Sequence, residues 1–343
     1  MGTRAEGPGR RVGRSATALT RTVLVAGGAG FIGSSLVRLL VERGDQVRIL
    51  DDLSIGRLAY LDGVPHDLVR APLADRAAVA ESVAGVDAIV HLAARAGIPD
   101  SVSDPLGTFE VNVAQTLGVL DAARRAGARR FVFASSNAAA GDHEPPADER
   151  DLPHPRSPYG ASKLAGEAYC QAYAATYGIA ACALRFSNAY GPYSLHKKSV
   201  VAAWLRAALG GEAVTIHGDG EQTRDFVYSG DLAAAVIAAL DAPEEVVAGE
   251  LFQVGTGRET TVNELAAAIG TAVGRPLEIV HEAARAGDVR RNVSRVDKAA
   301  EWLGYRATVP LEEGLGRTAR WFSAALADPE LAGVTPHAAS GSE

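Results

Sequence analysis

Residues 23–37 read VLVAGGAGFIGSSLV, an apolar run that passes through a cluster of glycines into a helical pattern. Gly28, Gly30 and Gly33 have the spacing at which a strand turns tightly into a helix and the backbone can approach a pyrophosphate. The free N–H groups at a helix N-terminus favour that negative charge. Because glycine-rich turns are common, this stretch needs support from the chain around it.

That support comes from the next apolar run, QVRIL at 46–50, which predicts a second strand. It leads into Asp51 and Asp52, and Asp51 stands 18 residues after Gly33. This is the expected place for a carboxylate that accepts hydrogen bonds from an adenosine ribose. Since a carboxylate there would repel a 2′-phosphate, the pattern favours NAD over NADP. The alternative is that Asp51 merely caps a loop.

Short apolar runs alternate with amphipathic helical stretches along most of the chain. Near-continuous apolar strands separated by helices are typical of a parallel sheet covered on both faces. The sequence therefore predicts an α/β protein with a doubly wound parallel (Rossmann) sheet and a smaller mixed α/β substrate lobe. The predicted parts are a flexible tail at 1–20, a Rossmann domain at 21–188 with 224–257 returning to it, a lobe at 189–223 and 258–322, and a flexible tail at 326–343.

The charge, the cysteine content and the apolar segments of the chain argue against several kinds of partner. A net charge of -7 without a long basic run argues against nucleic acid as the main partner of this 343-residue chain. The two cysteines, Cys170 and Cys182, offer neither a disulfide framework nor the spacing of a metal site. No segment approaches the roughly 20 apolar residues that a membrane-spanning helix requires. We expect a soluble, cytoplasmic protein with no metal and no membrane partner.

A second motif, SPYGASK at 157–163, carries residues suited to acid–base chemistry. Ser157 suits an N-cap and Pro158 the first helical position, which puts Tyr159 and Lys163 one turn apart on the same face. An ammonium near a phenol lowers the pKa of the phenol and makes it a usable base. The pair alone is common on surface helices, but it is more specific after a dinucleotide motif and a strand that ends in Ser135 and Ser136.

Together these motifs resemble the extended short-chain dehydrogenase/reductases, in particular the nucleotide-sugar epimerases and dehydratases. The resemblance covers nearly all of residues 21–322. Its motifs are GGAGFIG at 27–33, DDLS at 51–54, HLAA at 91–94, NV at 112–113, SS at 135–136, YGASK at 159–163, LRFSNAYGP at 184–192 and GDGEQTRDFVY at 218–228.

The resemblance implies roles for individual residues, an NAD cofactor, a UDP-sugar substrate and a homodimer. It makes Tyr159 the general base, Lys163 its activator and a ligand of the nicotinamide ribose, and Ser136 the hydroxyl that shares the hydrogen bond to the sugar. The implied cofactor contacts are Gly28, Gly30, Phe31, Ile32, Gly33, Asp51, Asp52, Leu53, Ser54, Gly56, Leu73, Leu92, Ala93, Ala94, Asn112, Ser135, Tyr159, Lys163 and Phe186. The implied substrate contacts are Ser136, Tyr159, Asn188, Ser199, Val200, Thr215, His217, Arg224, Arg285 and Asp288.

The residues after Ser136 bear on the type of reaction. In the resembled family, dehydratases carry an Asp-Glu pair here and decarboxylases of glucuronate sugars carry Glu. Asn137 and Ala138 cannot exchange a proton at neutral pH, which leaves 4-epimerisation. Ala139 and Ala140 either leave a smaller wall beside the site or are compensated by repacking. Pro72 replaces an Asp that many relatives have near the adenine.

The substrate is predicted less directly. His196, Lys197 and Lys198 could favour a sugar carboxylate, which suggests UDP-glucuronate and UDP-galacturonate and resembles epimerases that include those of antibiotic sugar pathways. The same residues could instead form a solvated basic turn on a UDP-glucose/UDP-galactose 4-epimerase. A non-catalytic NAD-binding sensor and a net keto-sugar reductase are the rival functions, although a sensor would usually lack the Tyr-Lys pair.

Overall fold

The computed structural model describes residues 21–284 and 289–332, and a parallel sheet forms its centre. The strands of these residues are β1 (Thr22–Ala26), β2 (Gln46–Leu50), β3 (Asp67–Val69), β4 (Ala88–His91), β5 (Arg130–Ser136), β6 (Ala180–Phe186), β7 (Asn188–Tyr190), β8 (Val214–His217), β9 (Thr223–Arg224), β10 (Phe226–Tyr228), β11 (Leu251–Val254), β12 (Thr260–Thr261), β13 (Ile279–Glu282) and β14 (Arg291–Asn292). The central sheet has the order β11-β6-β5-β4-β1-β2-β3, with every neighbouring pair parallel. Because the order reverses between β1 and β4, the predicted doubly wound Rossmann fold is confirmed.

Helices cover the sheet and build the rest of the molecule. They are α1 (Phe31–Glu42), α2 (Arg76–Val83), α3 (Ile98–Ser103), α4 (Pro105–Phe109), α5 (Thr116–Arg125), α6 (Pro158–Tyr177), α7 (Val200–Gly210), α8 (Ser229–Asp241), α9 (Glu244–Val247), α10 (Val262–Val273), α11 (Asp297–Trp302), α12 (Leu311–Ala327) and α13 (Pro329–Ala332). Short 3₁₀ turns span Leu58–Leu61 and Asn137–Ala139, and a π-helical segment spans Glu110–Gln115. Within the described ranges, no helix is long and apolar enough to cross a membrane.

Both faces of the sheet are buried, which explains why its strands read as continuous apolar runs. Val23 and Val25 of β1 pack in one apolar cluster with side chains of α1 and α8. Leu24, between them, faces the opposite cluster with side chains of α2, α5 and α6. The carboxyl ends of β1, β4, β5 and β6 therefore meet at one edge of a rigid layer.

A smaller mixed lobe lies beside this edge, as the sequence predicts. Leu205 of α7, Leu265 of α10 and Phe322 of α12 share its apolar cluster. Its strands form small sheets in which β8 pairs with β13, and β9 lies between β12 and β14. The strand β11 returns to the main sheet beside β6, and α8 packs on α1.

One expected tail is ordered at its start. The sequence predicts a flexible segment from residue 326, yet α12 continues to Ala327 and α13 follows it. The Asp328 carboxylate accepts the Glu330 N–H at 2.9 Å, and Leu331 packs against the lobe cluster. The tail prediction is therefore wrong for 326–332, because a capping Asp and an apolar contact follow the long helix. The remaining tail residues, 1–20 and 333–343, lie outside the described part.

Candidate functional site

The glycine turn after β1 leaves no room for side chains at two of its glycines. A Cβ on Gly33 would lie 2.2 Å from the Gly27 carbonyl oxygen, and one on Gly28 would lie 2.9 Å from the Ile49 side chain. Gly27 has a φ of +83°, in the left-handed region that favours glycine. The first turn of α1, which starts with Phe31 and Ile32, has no side-chain cap. Its backbone N–H groups are therefore suited to a pyrophosphate, and the turn fits the predicted dinucleotide.

The carboxylate of Asp51 lies directly beside this turn. It is 9% exposed and accepts the N–H groups of Ala29 at 3.0 Å and Leu53 at 2.9 Å. Burial raises the pKa of Asp51, and these two hydrogen bonds oppose the shift. Asp51 thus does cap the loop, as the alternative interpretation proposes, while carboxylate oxygens retain further acceptor positions for a ribose.

The loop that follows Asp51 is also folded onto the glycine turn. Asp52 is exposed and accepts both the backbone N–H and the hydroxyl of Ser54, at 2.9 and 2.6 Å. A Cβ on Gly56 would meet the Ala29 carbonyl at 2.9 Å. The predicted contacts from 51 to 56 therefore come from one compact loop.

The loop after β4 is held by Asn112. The Ala26 carbonyl accepts the N–H groups of Leu92 and Ala93, both at 2.9 Å, so residues 92–94 lie against the glycine turn. The Asn112 side chain accepts the Arg95 N–H at 2.8 Å and donates to the Arg95 carbonyl and the Ser162 hydroxyl, both at 3.0 Å. Asn112 thereby positions this loop, and its direct contact with NAD stays a prediction.

The predicted catalytic helix begins where the sequence indicates. The Ser157 hydroxyl caps α6 by accepting the Gly160 N–H at 3.1 Å, and Pro158 opens the helix. Lys163 is 4% exposed, and its Nζ donates to the Ala134 carbonyl at 2.8 Å. The same Nζ lies 5.9 Å from the centre of the Tyr159 ring. The pKa of Lys163 is lowered to about 8, mainly by burial and also by the charge of Lys197, while the charge of Glu167 opposes the shift.

Tyr159 and Ser136 meet across the end of β5. Burial raises the pKa of the Tyr159 phenol, and its hydrogen bond with Ser136 opposes that shift. The sequence predicts a lowered pKa through Lys163, and this direction is wrong for the structure. The physical reason is that the phenol is buried while the Lys163 ammonium is directed to a backbone carbonyl.

Ser135 has a different environment from Ser136. Its hydroxyl donates to Glu167, whose carboxylate also binds the buried Arg185 at 2.8 and 2.7 Å. Glu167 is not among the residues that the sequence predicts for the site, although it lies four residues after Lys163 and so on the same helical face. The predicted cofactor contact of Ser135 stays a prediction.

The residues after Ser136 are tightly enclosed. Asn137 is 6% exposed and directs its amide into a buried polar cluster. Ala139 and Ala140 are at most 1% exposed, which agrees with the repacking alternative. A Cβ on Gly160 would lie 2.2 Å from the Ala138 carbonyl, so α6 rests directly on the 3₁₀ turn.

The predicted substrate residues lie on several lobe elements. Arg224 donates to the carbonyl groups of Thr223 at 2.8 Å and Val289 at 2.7 Å. Arg285 and Asp288 lie outside the described residues, and Val289 directly follows them. The other residues are Asn188 at the start of β7, Ser199 and Val200 at the start of α7, and Thr215 and His217 on β8. Of the predicted cofactor contacts, Leu73 packs against the apolar cluster that contains Leu24 and side chains of α2, α5 and α6, and Phe186 ends β6.

The two lysines of the basic turn at 196–198 have different environments in the structure. Lys198 is 84% exposed at its side chain and pairs with Asp100 at 3.4 Å. Lys197 instead turns inward, with its Nζ 6.0 Å from the centre of the Phe31 ring, and burial lowers its pKa. Its backbone is fixed, since its N–H binds the Ser194 carbonyl at 2.9 Å and its carbonyl accepts from Arg206 at 2.8 Å. No ion-pair partner of Lys197 occurs among residues 21–284 and 289–332.

Comparison with known proteins gives consistent results. The model of the NAD dependent epimerase/dehydratase family matches residues 23–255. The chain is 40% identical over 313 residues to a UDP-glucose 4-epimerase of Mycolicibacterium smegmatis, covering 87% of this chain and 97% of that protein. The structure of a Thermotoga maritima UDP-glucose 4-epimerase with UDP-glucose is similar at a TM-score of 0.83 and 36% identity, covering 89% and 99% of the two chains.

A further solved structure contains both types of ligand that the sequence predicts. It is that of a protein named MoeE5 in complex with UDP-glucuronic acid and NAD. The similarity has a TM-score of 0.79 at 33% identity and covers 88% of this chain and 98% of that one.

Proposed function

Since this chain belongs to the NAD-dependent epimerase/dehydratase family, we propose that it is a UDP-hexose 4-epimerase that favours UDP-glucuronate and UDP-galacturonate. Its cofactor is NAD. The observation that carries the proposal is the meeting of Ser136, Tyr159 and Lys163 at the end of β5, followed by a turn without a carboxylate.

The proposed NAD site is built around the glycine turn. The N–H groups at the start of α1 would hold the pyrophosphate, Asp51 the adenosine ribose, and Lys163 the nicotinamide ribose. Bound NAD supplies a reversible hydride acceptor at this place. Lys163 itself is buried beside this place, with 4% of its surface exposed.

The protein's own part in the reaction is the movement of one proton. Tyr159 takes the proton of the sugar C4 hydroxyl, while Ser136 shares the hydrogen bond to that oxygen. Lys163, the predicted activator, would offset part of the burial that raises the Tyr159 pKa, since its ammonium lies 5.9 Å from the centre of the Tyr159 ring. After the 4-keto sugar has rotated, Tyr159 returns the proton to the same oxygen, and the configuration at C4 is inverted.

The turn after Ser136 supports epimerisation over the related reactions. Elimination of water would need an acid or base beside the keto sugar, and the decarboxylases of the resembled family carry Glu at this place. Residues 137–141 read NAAAG and supply none. A net reductase would consume NADH, and a sensor would not turn over UDP-sugars. An activity assay therefore distinguishes each of these two functions from an epimerase.

A basic side chain inside the site supports the preference for a sugar acid. Lys197 is only partly exposed, its Nζ lies 6.0 Å from the centre of the Phe31 ring, and its charge lowers the pKa of Lys163. A partly desolvated ammonium is a suitable partner for a carboxylate. UDP-glucose and UDP-galactose remain the alternative substrates, because the similar proteins include UDP-glucose 4-epimerases.

The direct test is to incubate the purified protein with UDP-glucose, UDP-N-acetylglucosamine and UDP-glucuronate in parallel, without added NADH. We expect the 4-epimer of UDP-glucuronate to form fastest. Tyr159→Phe should lower kcat by roughly 100-fold or more without unfolding the protein, since general-base catalysis contributes about that much. Formation of UDP-xylose or its 4-keto precursor, or dependence on NADH, would contradict the proposal.

A further inference from the structure

A buried polar cluster connects the end of β5 to the lobe. Asn137, the residue after Ser136, donates from Nδ2 to the Ser294 hydroxyl at 2.9 Å. The same group lies 3.3 Å from the Ser187 hydroxyl and 3.3 Å from Oδ1 of Asn292. Ser187 follows β6, and Asn292 ends β14. One side chain beside the proposed catalytic hydroxyl thus contacts two other parts of the chain.

The far side of this cluster is the carboxylate of Asp225, which is fully buried. It accepts hydrogen bonds from the Ser187 hydroxyl at 3.2 Å, from the Thr256 N–H at 2.9 Å and from the Gly257 N–H at 3.1 Å. The hydroxyl groups of Ser187 and Ser294 are 2.9 Å apart and complete the link between Asn137 and Asp225. The Asp225 carboxylate and both serine hydroxyl groups therefore have hydrogen-bond partners, which hold these groups in place.

The cluster's members alternate along the chain with predicted ligands of the substrate. Asn137 follows Ser136, Ser187 precedes Asn188, and Asp225 follows Arg224. The β9–β14 pairing also places Asn292 opposite Arg224. The polar cluster therefore fixes the spacing between the hydroxyl at the sugar end and the side chains at the diphosphate end.

We propose that Asn137 is a positioning residue that holds Ser136 at a fixed distance from the nucleotide-binding side chains of the lobe. This inference rests on the proposed epimerase function. A bound UDP-sugar would contact Ser136 and Tyr159 through its sugar and the lobe through its diphosphate. A change in the distance between these two sets of contacts would therefore misplace C4 relative to Ser136 and Tyr159. Such misplacement lowers kcat more than it lowers binding of the nucleotide.

Asparagine suits this position because the neighbouring groups need a donor. An ionised Asp has the same shape but only accepts hydrogen bonds. Its negative charge would lie near that of Asp225, and both carboxylates would depend on the hydroxyl groups of Ser187 and Ser294 as donors. Alanine would leave the cluster without its link to the β5 end. The Asn137 Oδ1 is buried without a partner in the described part of the chain, so the side chain is held by the two N–H groups of its amide, chiefly through the 2.9 Å contact with Ser294.

The experiment compares Asn137→Ala, Asn137→Asp and Asn137→Ser in the NAD-loaded full-length protein. We expect kcat for the UDP-hexose to fall by roughly 10-fold to 100-fold in the Ala and Asp variants. The Kd for UDP, measured by calorimetry, should change by less than about threefold, since the nucleotide contacts are kept. Ser retains a donor and should recover part of kcat. Unchanged kcat in folded Asn137→Ala would overturn the inference.

A double-mutant cycle provides a second measurement if the Ala variant does not fold. Asn137→Asp and Ser294→Ala remove the same link from its two ends, so their effects on kcat should be less than additive. Full additivity would contradict the proposed link. A wild-type protein that epimerises no UDP-hexose defeats the proposed function, and this inference with it, whereas an active wild type with unaffected variants defeats this inference alone.

Discussion

Lys197 differs from its basic neighbours in what surrounds its side chain. The sequence HKK at 196–198 does not distinguish the three residues, because consecutive positions in a turn have no periodicity that predicts burial. In the structure Lys198 pairs with Asp100 at the surface, whereas Lys197 faces Phe31. The separation depends on Arg206 of α7, which holds the Lys197 carbonyl from a helix further along the chain.

Replacing Lys197 by Met should change the choice of substrate. If the ammonium binds the sugar carboxylate, kcat/KM for UDP-glucuronate should fall by about 30-fold or more, because losing one partner of a buried charge pair costs ~2 kcal/mol or more. Steady-state assays with UDP-glucose should show little change. The matched control, Lys198→Met, should leave both values unaltered.

An equal loss on both substrates, with loss of bound NAD, would instead assign Lys197 to the cofactor and would contradict its role in recognising the carboxylate. The NAD content of each purified variant therefore needs to be measured beside its kinetics.

The spacing of Tyr159 and Lys163 was predictable, but their protonation was not. Ser157, Pro158 and the four-residue separation determine the helix start and the shared face, and the structure confirms both. The pKa of Tyr159 depends on how far the folded chain buries the phenol, and this burial raises the pKa against the predicted direction. Site chemistry of this kind requires tertiary structure.

The strand β4 ends in a buried histidine that links pH to stability. His91 is fully buried between Phe131 and Phe133, and its Nε2 lies 2.9 Å from the Thr116 hydroxyl. Burial lowers its pKa from 6.5 to about 3, with a smaller contribution from the charge of Lys163. Between these values the unfolded state binds a proton that the folded state does not bind.

The contribution of His91 to stability is therefore complete above pH 6.5 and is lost as the pH falls towards about 3. We expect Tm to fall between pH 7 and pH 5, and His91→Gln to flatten this dependence even where it lowers Tm itself. Differential scanning fluorimetry across this range measures both effects. His281→Gln removes an exposed histidine and serves as the control; a His91→Gln profile that is parallel to wild type would contradict the prediction.

Long elements were predictable from the sequence, and short ones were not. The strands β1, β2, β5 and β6 and the helix α6 have clear apolar periods or caps. The strands β9, β12 and β14 contain two residues each, and no period can be read from two positions. These short pairings carry Arg224 and part of the Asn137 cluster, so the lobe side of the site was the less predictable side.

The helices α3, α4 and α6 contact one another and present apolar side chains to solvent. Val102 is 63% exposed, Leu106 80% and Phe109 55%. Apolar groups clustered in this way commonly mark an interface, and one face that meets its own copy forms a twofold dimer. This surface supports the homodimer that the family resemblance implies.

If a second copy covers this surface, Leu106→Glu should convert a dimer into a monomer, because a charge would be buried at the interface. Light scattering coupled to size-exclusion chromatography measures the mass directly. Val280→Glu alters a partly exposed apolar residue on β13, outside these helices, and should leave the mass unchanged. A wild-type monomer at micromolar concentration, or a dimeric Leu106→Glu variant, would contradict the proposed interface.

The chain order of the sheet has a consequence for protein synthesis. The apolar side of α1, near the N-terminus, is covered by α8, and the edge of β6 is covered by β11. Neither can reach its place until the ribosome has produced residues 229–254. A nascent chain that already contains every strand from β1 to β6 therefore still exposes an apolar helix face and an unpaired strand edge. We infer that this long interval before completion, rather than the finished fold, is when the molecule most needs protection from aggregation.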